Sequence, residues 1–356
     1  MKIGFRWFGD NDYKLRYIRH IPNTTEIVWS LHQKNAGELW EPKEVANEIK
    51  KINDAGFMHH VVESVNIHES IKIGSKDRDK YIENYIETLE HLGINGVKVV
   101  CYNFMPIFDW TRTELYRDLE DGSTSMYFNN RKISNINPLE FKEEFLKISK
   151  DYELPGWEKE RLEELSSLFN IYNNISVEQL WENLKYFIDK IIPTCEKYDI
   201  KMAIHPDDPG FEIFGLPRMI ATKNDIERLY AINESPYNGL TFCTGSLGSN
   251  SKNDLLELLN FSMSRIHFVH LRNIKFLGDK EFQEVSHLES DGDIPVVSIM
   301  RTLLENNYEG YLRPDHGRHI FGEECRPGYG MYDRAFGIMY VNGIIDGYRL
   351  EKINEK

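Results

Sequence analysis

The feature that most constrains the fold is the alternation of short apolar segments with longer amphipathic segments. The apolar segments are rich in Val, Ile, Leu and Phe, and polar residues or glycines bound them, as is typical of buried parallel strands. The segment 42–54 is an example of the helical pattern, with Val45, Ile49 and Ile52 on one face. The predicted strands are 2–6, 26–30, 58–63, 97–102, 201–205, 240–243, 266–270 and 310–313.

Eight strands, most of them followed by a helix, predict an α/β fold of the (β/α)8 TIM barrel class, with residues 1–356 as a single domain. A doubly wound sheet is the alternative. No glycine-rich phosphate-binding turn follows the first strand, which disfavours that alternative and gives no support for a nicotinamide or flavin cofactor.

One connection is unusually long. Residues 104–176 separate the fourth strand from the helix that precedes the fifth, and segments 140–150 and 157–169 have helical patterns. We expect a helical insertion that serves as a lid or as an oligomer arm, with decoration without function as the alternative.

Composition limits the partners of the chain. Its net charge of -14 disfavours DNA or RNA, because nucleic-acid binding relies on neutralisation of phosphates by Lys and Arg. A small anionic ligand stays possible, since local positive charge can override the global sign. The four cysteines are scattered, which indicates reduced thiols, and neither a signal peptide nor a membrane span is evident. We therefore expect a cytoplasmic protein.

Four predicted strands in succession end on, or within two residues of, a residue able to bind a metal: His205, Cys243, His270 and Asp315. Strand C-termini converge at the mouth of a barrel, so we expect the four side chains to meet at one divalent metal ion. Two imidazoles, a thiolate and a carboxylate suit Mn²⁺, Fe²⁺, Co²⁺ or Zn²⁺ better than Ca²⁺ or Mg²⁺. For each residue alone a structural role is the alternative, and Cys243 could instead be a nucleophile activated by a histidine.

Residues beside this set suggest acid/base chemistry. His316 follows Asp315, and Tyr329 lies between two glycines that let the backbone approach a ligand closely. The alternative for Tyr329 is an aromatic residue packed on the barrel rim. Arginines such as Arg272 and Arg318 could grip a carboxylate or could form structural ion pairs.

Several longer motifs resemble the mannonate dehydratase family, and the resemblance covers nearly the whole chain. Residues 123–128 match the family pattern less closely, so the resemblance does not indicate which contacts a lid would make there. The motifs are FRWFG (5–9), CYNFMP (101–106), FDWTR (108–112), HPDDP (205–209), FGLPR (214–218), CTGSLG (243–248), HLRN (270–273) and RPDHGR (313–318).

The resemblance implies a metal-dependent barrel of the xylose-isomerase-like type that uses Mn²⁺ or Fe²⁺. It implies dehydration of D-mannonate to 2-keto-3-deoxy-D-gluconate in hexuronate breakdown, and it points to a dimer or larger homo-oligomer. The family's metal ligands carry over to the four strand-end residues named above, and its acid/base residues to His316 and Tyr329. The residues that we expect to bind substrate are Arg6, Trp7, Asn103, Arg272, Arg318 and Tyr332.

Three other functions are alternatives to a dehydratase. A sugar isomerase or epimerase on the same barrel is the main rival, although such enzymes tend to bind their metals through Glu, Asp and His rather than Cys. An endonuclease for abasic DNA is disfavoured by the acidic charge. A sugar-acid binding protein without activity is disfavoured because His316 and Tyr329 accompany the metal set.

Overall fold

The computed structural model describes residues 1–134, 143 and 164–355, and its central feature is a closed barrel of parallel strands. In chain order the described strands are β1 (Lys2–Arg6), β2 (Thr24–Trp29), β3 (Met58–Glu63), β4 (Val99–Tyr102), β5 (Glu114–Asp118), β6 (Thr124–Asn129), β7 (Lys201–Ile204), β8 (Asn238–Cys243), β9 (Ile266–Leu271), β10 (Ile274–Gly278), β11 (Glu281–Glu284) and β12 (Tyr311–Pro314). The barrel order is β1-β12-β9-β8-β7-β4-β3-β2, which confirms the predicted fold class over a doubly wound sheet.

Helices surround the barrel. Those described are α1 (Leu15–Ile18), α2 (Pro42–Asp54), α3 (Glu69–Lys72), α4 (Arg78–Ile94), α5 (Asn130–Ile133), α6 (Leu165–Tyr172), α7 (Val177–Tyr198), α8 (Lys223–Ile232), α9 (Thr244–Gly248), α10 (Leu255–Ser262), α11 (Val296–Glu305) and α12 (Met331–Asn354). Within this part of the chain no helix combines the length and the apolar character needed to cross a membrane.

Local sequence explains why the longer helices form where they do. In α2, Pro42 occupies the first turn, and the side chains of Glu41 and Glu44 form a reciprocal capping box. Ser176 caps α7 in the same way, through Gln179. Each helix buries an apolar stripe against the barrel, and each buried aliphatic side chain contributes about 1.5–3 kcal/mol relative to exposure.

Inside the barrel, buried side chains of the strands, two of them aromatic, form a packed layer. Its members are Val28, Val61, Val99, Cys101, Ala203, Phe268 and Tyr311. The filled interior leaves the strand C-termini as the open end of the barrel, where a ligand can bind. The strand register places several of these ends side by side at the same height in the barrel. Cys243 pairs with His270, and His270 pairs with Arg313 on the next strand.

A second, antiparallel sheet adds to the barrel, in the order β10-β11-β6-β5. Its strands β5 and β6 lie in the long connection 104–176, so the described part of that insertion contains a hairpin in addition to the helices α5 and α6. The hairpin was not predicted. The predicted helix 140–150 lies outside the described residues, apart from the single residue 143, and so does most of 157–169.

Candidate metal and acid/base site

Three of the four predicted metal ligands converge at the barrel mouth. One ligand atom from each of His205, Cys243 and His270 lies within 4.8 Å of the others. Asp315 belongs to the same cluster, since its Oδ2 lies 3.6 Å from Cys243 Sγ. The convergence follows from the parallel register, which places the ends of β7, β8, β9 and β12 side by side.

The donor atoms are oriented as a cation would require. His205 Nδ1 lies 2.8 Å from the Pro206 carbonyl oxygen and must donate to it, which leaves the lone pair of Nε2 facing inward. That lone pair faces His270 Nδ1 at 3.2 Å, while His270 Nε2 lies 3.3 Å from a Glu63 carboxylate oxygen. Two imidazole nitrogens facing each other beside a thiol and a carboxylate are suited to a borderline-soft divalent ion.

Arginines neutralise the carboxylates around this cluster. Arg313 donates to Asp315 Oδ1 at 2.7 Å and to both oxygens of Glu63 at 2.7 and 2.9 Å. Burial by itself would raise the pKa of each carboxyl group, but charged neighbours outweigh it. For Glu63 these are chiefly Arg313 and then His270, for Asp315 they are His316 and then Arg313, and both pKa values lie well below the usual range. Both groups are therefore ionised at neutral pH.

His316 and Tyr329 form a hydrogen-bonded pair in the same site. His316 Nε2 lies 3.1 Å from Tyr329 Oη, and the rings meet edge to face. On the other side of the imidazole, Nδ1 lies 3.1 Å from Glu284 Oε1. Arg272 Nη1 also lies 3.2 Å from Nδ1, but it donates to Asp208 at 2.8 Å. We therefore assign the Nδ1 proton to a hydrogen bond with Glu284, which leaves Nε2 to accept from Tyr329.

Burial raises the pKa of the Tyr329 hydroxyl above its ordinary value, and nearby Arg313 only partly offsets this. Tyr329 is thus protonated at neutral pH. Glu284, by contrast, has a lowered pKa, because His316 and Arg112 outweigh the effect of its burial. The Glu284 carboxylate, the His316 imidazole and the Tyr329 phenol thus form a connected series. This arrangement can accept a proton at His316 Nε2 and release one from Tyr329 Oη.

A cavity opens over this arrangement. His205 and Asp315 line it, whereas Cys243 and His270 are fully buried. A second cleft adjoins the cavity and shares Arg6 with it. The cavity is lined by Arg6, Phe8, Glu63, Ser64, Cys101, Asn103, Asp109, Trp110, His205, Asp208, Arg272, Arg313, Asp315, His316 and Tyr329.

Of the predicted substrate-binding residues, Arg6, Asn103 and Arg272 line the cavity. Arg6 is buried, and its Nη1 donates to the backbone oxygens of Trp7 and Val28. Within the described residues no carboxylate lies within 4.0 Å of its guanidinium, and burial lowers its pKa to about 10. Arg272 is different, because Asp208, Asp315 and Ser246 already accept hydrogen bonds from its two amino groups.

The other three predicted substrate-binding residues lie outside the cavity lining. Trp7 is buried and donates from Nε1 to the Tyr13 carbonyl oxygen. Arg318 pairs with Asp121 and Asp333. Tyr332 is half exposed and packs against the ring of Phe321.

Several residues of the site were not among the predicted functional residues. Glu284 reaches His316 from β11, and Arg112 bridges Glu284 to Asp208 with contacts of 2.6 to 3.0 Å. Arg112 and Asp208 lie within the FDWTR and HPDDP motifs, which could have drawn attention to them. Nothing in the sequence around Glu284 signals its role.

Comparison with known proteins adds to this geometry. The family model described as D-mannonate dehydratase (UxuA) matches residues 1–355. The curated mannonate dehydratase of Bacillus subtilis (strain 168) is 48% identical over 350 residues, covering 98% of this chain and 97% of the relative. The crystal structure of mannonate dehydratase from Streptococcus suis serotype2 superposes with a TM-score of 0.87 at 40% identity, covering 98% of this chain and 93% of that one.

More distant structures share only the fold. The structure of D-psicose 3-epimerase with D-tagatose from Clostridium cellulolyticum H10 matches with a TM-score of 0.56 at 11% identity, covering 98% of this chain and 99% of that chain. At that identity the similarity supports the barrel and carries no information on the reaction.

Proposed function

The chain belongs to the D-mannonate dehydratase family, and from that premise we propose that it converts D-mannonate to 2-keto-3-deoxy-D-gluconate and water. The observation that carries the proposal is the His316–Tyr329 pair, 3.1 Å apart, in the cavity above the His205, Cys243 and His270 cluster. A binding protein would have no need for a proton acceptor and a proton donor beside its metal ligands.

We propose that His205, Cys243, His270 and Asp315 hold a divalent ion, Mn²⁺ or Fe²⁺. The ion would supply Lewis-acid stabilisation of negative charge that develops on the sugar acid. The fit rests on the donor set, with the inward lone pair of His205 Nε2 and the buried Cys243 thiol, which receives a hydrogen bond from Ser246 at 3.1 Å.

The elimination breaks the C2–H bond and the C3–O bond of the substrate. In the proposed assignment His316 Nε2 takes the proton from C2, and Glu284 stabilises the imidazolium that forms. Tyr329, which burial keeps protonated, gives its proton to the departing hydroxyl, so that water leaves. The enol that remains then takes up a proton at C3 and releases the proton of its C2 hydroxyl, which gives the 2-keto acid.

Arg6 is the arginine best suited to bind the substrate carboxylate. It lines both the cavity and the adjoining cleft, and its buried charge lacks a carboxylate partner within 4.0 Å among the described residues. Burial makes such a charge costly unless a ligand pairs with it. Arg272 also lines the cavity, but it already donates to Asp208 and Asp315, so we propose that it positions these two carboxylates.

The test is an assay for 2-keto acid formation on a panel of aldonic acids, after chelation and with or without added Mn²⁺. Metal-dependent keto acid formation from D-mannonate is expected. Appearance of an epimeric or isomeric sugar in its place would favour an isomerase or epimerase on the same barrel. Hexuronate breakdown, a cytoplasmic location and a homo-oligomeric state stay predictions that follow from the family resemblance.

A further inference from the structure

We propose that Arg334 is a positioning residue that holds Tyr329 and Arg6 in a fixed arrangement relative to each other. This inference rests on the proposed function, in which Tyr329 gives a proton to the departing hydroxyl and Arg6 binds the substrate carboxylate. It assigns a role to the N-terminal end of α12, which the acid/base chemistry does not use.

The side chain of Arg334 joins two segments of the site. Arg334 is the fourth residue of α12 and is 1% exposed. Its guanidinium donates to three backbone carbonyl oxygens, from Nη2 to Tyr329 at 2.7 Å, from Nη1 to Arg6 at 2.8 Å and from Nε to Gly330 at 3.0 Å. Because the guanidinium is planar and rigid, these three donors fix the end of β1 relative to the segment that carries Tyr329.

The segment that carries Tyr329 needs such contacts, because residues 323–330 form neither a helix nor a strand. One backbone hydrogen bond, from the Gly317 amide to the Gly328 carbonyl oxygen at 3.0 Å, links this segment to the chain that follows β12. The hydrogen bonds of Arg334 link the same segment to β1. The two sets of contacts together determine where the Tyr329 ring lies in the cavity.

Aromatic rings connect the same residues a second time. The guanidinium carbon of Arg334 lies 3.9 Å from the centroid of the Phe5 ring and 5.3 Å from that of the Tyr329 ring. The guanidinium carbon of Arg6 lies 4.3 Å from the centroid of the Phe8 ring, which meets the Tyr329 ring edge to face at 4.6 Å. A shift of the Tyr329 backbone would therefore also disturb the packing of Arg6.

The position of Arg334 is unfavourable for a positive charge. Burial lowers the pKa of its guanidinium, and the N-terminal end of a helix dipole favours anions over cations. A buried charge is costly unless its hydrogen bonds compensate for the lost water. In the described part of the chain the hydrogen bonds of this guanidinium all go to the segments that carry Arg6 and Tyr329. The contacts that compensate for the charge are thus the ones that connect the two residues of the site.

The experiment introduces Arg334→Met into the unmodified protein, into Tyr329→Phe and into Arg6→Ala, and measures kcat and KM for D-mannonate. In the unmodified protein kcat should fall about tenfold to a hundredfold and KM should rise about tenfold, because small displacements of both groups are costly. In Tyr329→Phe the further loss of kcat should be less than about threefold, since the displaced hydroxyl is already absent. In Arg6→Ala the further rise of KM should likewise stay below about threefold.

Losses in the double variants as large as those in the single variant would show that Arg334 only supports the fold. Unchanged constants in Arg334→Met would exclude positioning, and either result overturns the proposal. Arg334→Lys keeps the charge but not the planar group, so it should restore part of both constants. If Arg334→Met does not fold, Arg334→Lys is tested in the same three backgrounds.

Arg265→Met is the matched control. Arg265 also donates to backbone carbonyl oxygens, three of them at 2.7 to 2.9 Å, but it lies where β8 and β9 begin, at the end of the barrel opposite the site. This variant should lower the temperature of thermal unfolding and leave kcat and KM unchanged. Absence of keto acid formation by the unmodified protein would instead refute the proposed function.

Discussion

Replacement of Glu284 by Gln tests the acid/base assignment most sharply, because it preserves side-chain volume and removes one charge. Glu284 is fully buried, and its Oε1 lies 3.1 Å from His316 Nδ1 and 2.6 Å from Arg112 Nη2. When His316 takes a proton, the carboxylate stabilises the imidazolium. The Gln side chain provides only a dipole at that position, so proton transfer to Nε2 becomes less favourable.

The magnitude follows from the distance. With an effective dielectric constant of about 20, opposite charges about 3 Å apart interact by roughly 5 kcal/mol. Arg112 already balances part of the Glu284 charge, so we expect about half of this interaction, roughly 2–3 kcal/mol, to be lost. Since each 1.36 kcal/mol corresponds to a tenfold change in rate, kcat should fall about 30- to 160-fold.

The assay is steady-state keto acid formation from D-mannonate, with metal content and thermal unfolding measured on the same preparation. Metal content should be unchanged, because Glu284 lies outside the ligand cluster. Glu281→Gln is the matched control, three residues earlier on β11 and hydrogen-bonded to Tyr127, and it should retain full kcat. An unchanged kcat in the folded, metal-loaded Glu284 variant would refute the role of the carboxylate.

Four further predictions follow from the site. Tyr329→Phe should lower kcat about 10²- to 10⁴-fold with metal retained, and near-normal turnover would remove Tyr329 as the acid. Cys243→Ser should weaken metal retention on dialysis, as measured by elemental analysis, and unchanged content would exclude the thiol from the ligand set. Arg6→Ala should raise the KM of D-mannonate about tenfold to a hundredfold while metal content stays constant, and a normal KM would refute the carboxylate contact. Because the pKa values of Glu63 and Asp315 are lowered in the folded state, their stabilising contribution is present above the unfolded values of about 4 and is lost as pH falls below them. Urea unfolding midpoints should therefore drop between about pH 5 and pH 3, and constant midpoints would contradict the ionised network.

The barrel could be predicted from sequence because each of its strands is a local apolar segment between polar boundaries. Predicted and observed bounds agree to within two residues, with β8 beginning at Asn238 rather than 240. The convergence of the candidate ligand side chains was predictable for a related reason. Once the strands are assigned, parallel register brings their C-termini together, so His205, Cys243 and His270 must be neighbours.

The small antiparallel sheet was missed because its signals are not local. Strand β5 has the sequence ELYRD, which carries three charged residues and little apolar periodicity. Strand β6 pairs with β11 through Phe128 and Phe282, residues far apart in the chain. The position of Glu284 depends on that pairing, and therefore only the folded structure reveals its contact with His316.

The arginines illustrate a second limit of prediction from sequence. Sequence indicated that several could bind a carboxylate, but it could not say which of them are already paired. Arg272 and Arg318 have protein carboxylates as partners, whereas Arg6 has backbone oxygens. Whether an arginine pairs with a carboxylate of the protein or with a ligand depends on three-dimensional contacts, and the local sequence pattern does not encode these contacts.

The central claim, metal-dependent dehydration of D-mannonate, is tested most directly by following the reaction with the purified, chelator-treated protein. We predict negligible 2-keto acid formation after chelation and recovery on addition of Mn²⁺ or Fe²⁺, with 2-keto-3-deoxy-D-gluconate as the product. Full activity without any bound metal, or conversion of D-mannonate to an epimer rather than a keto acid, would contradict the account.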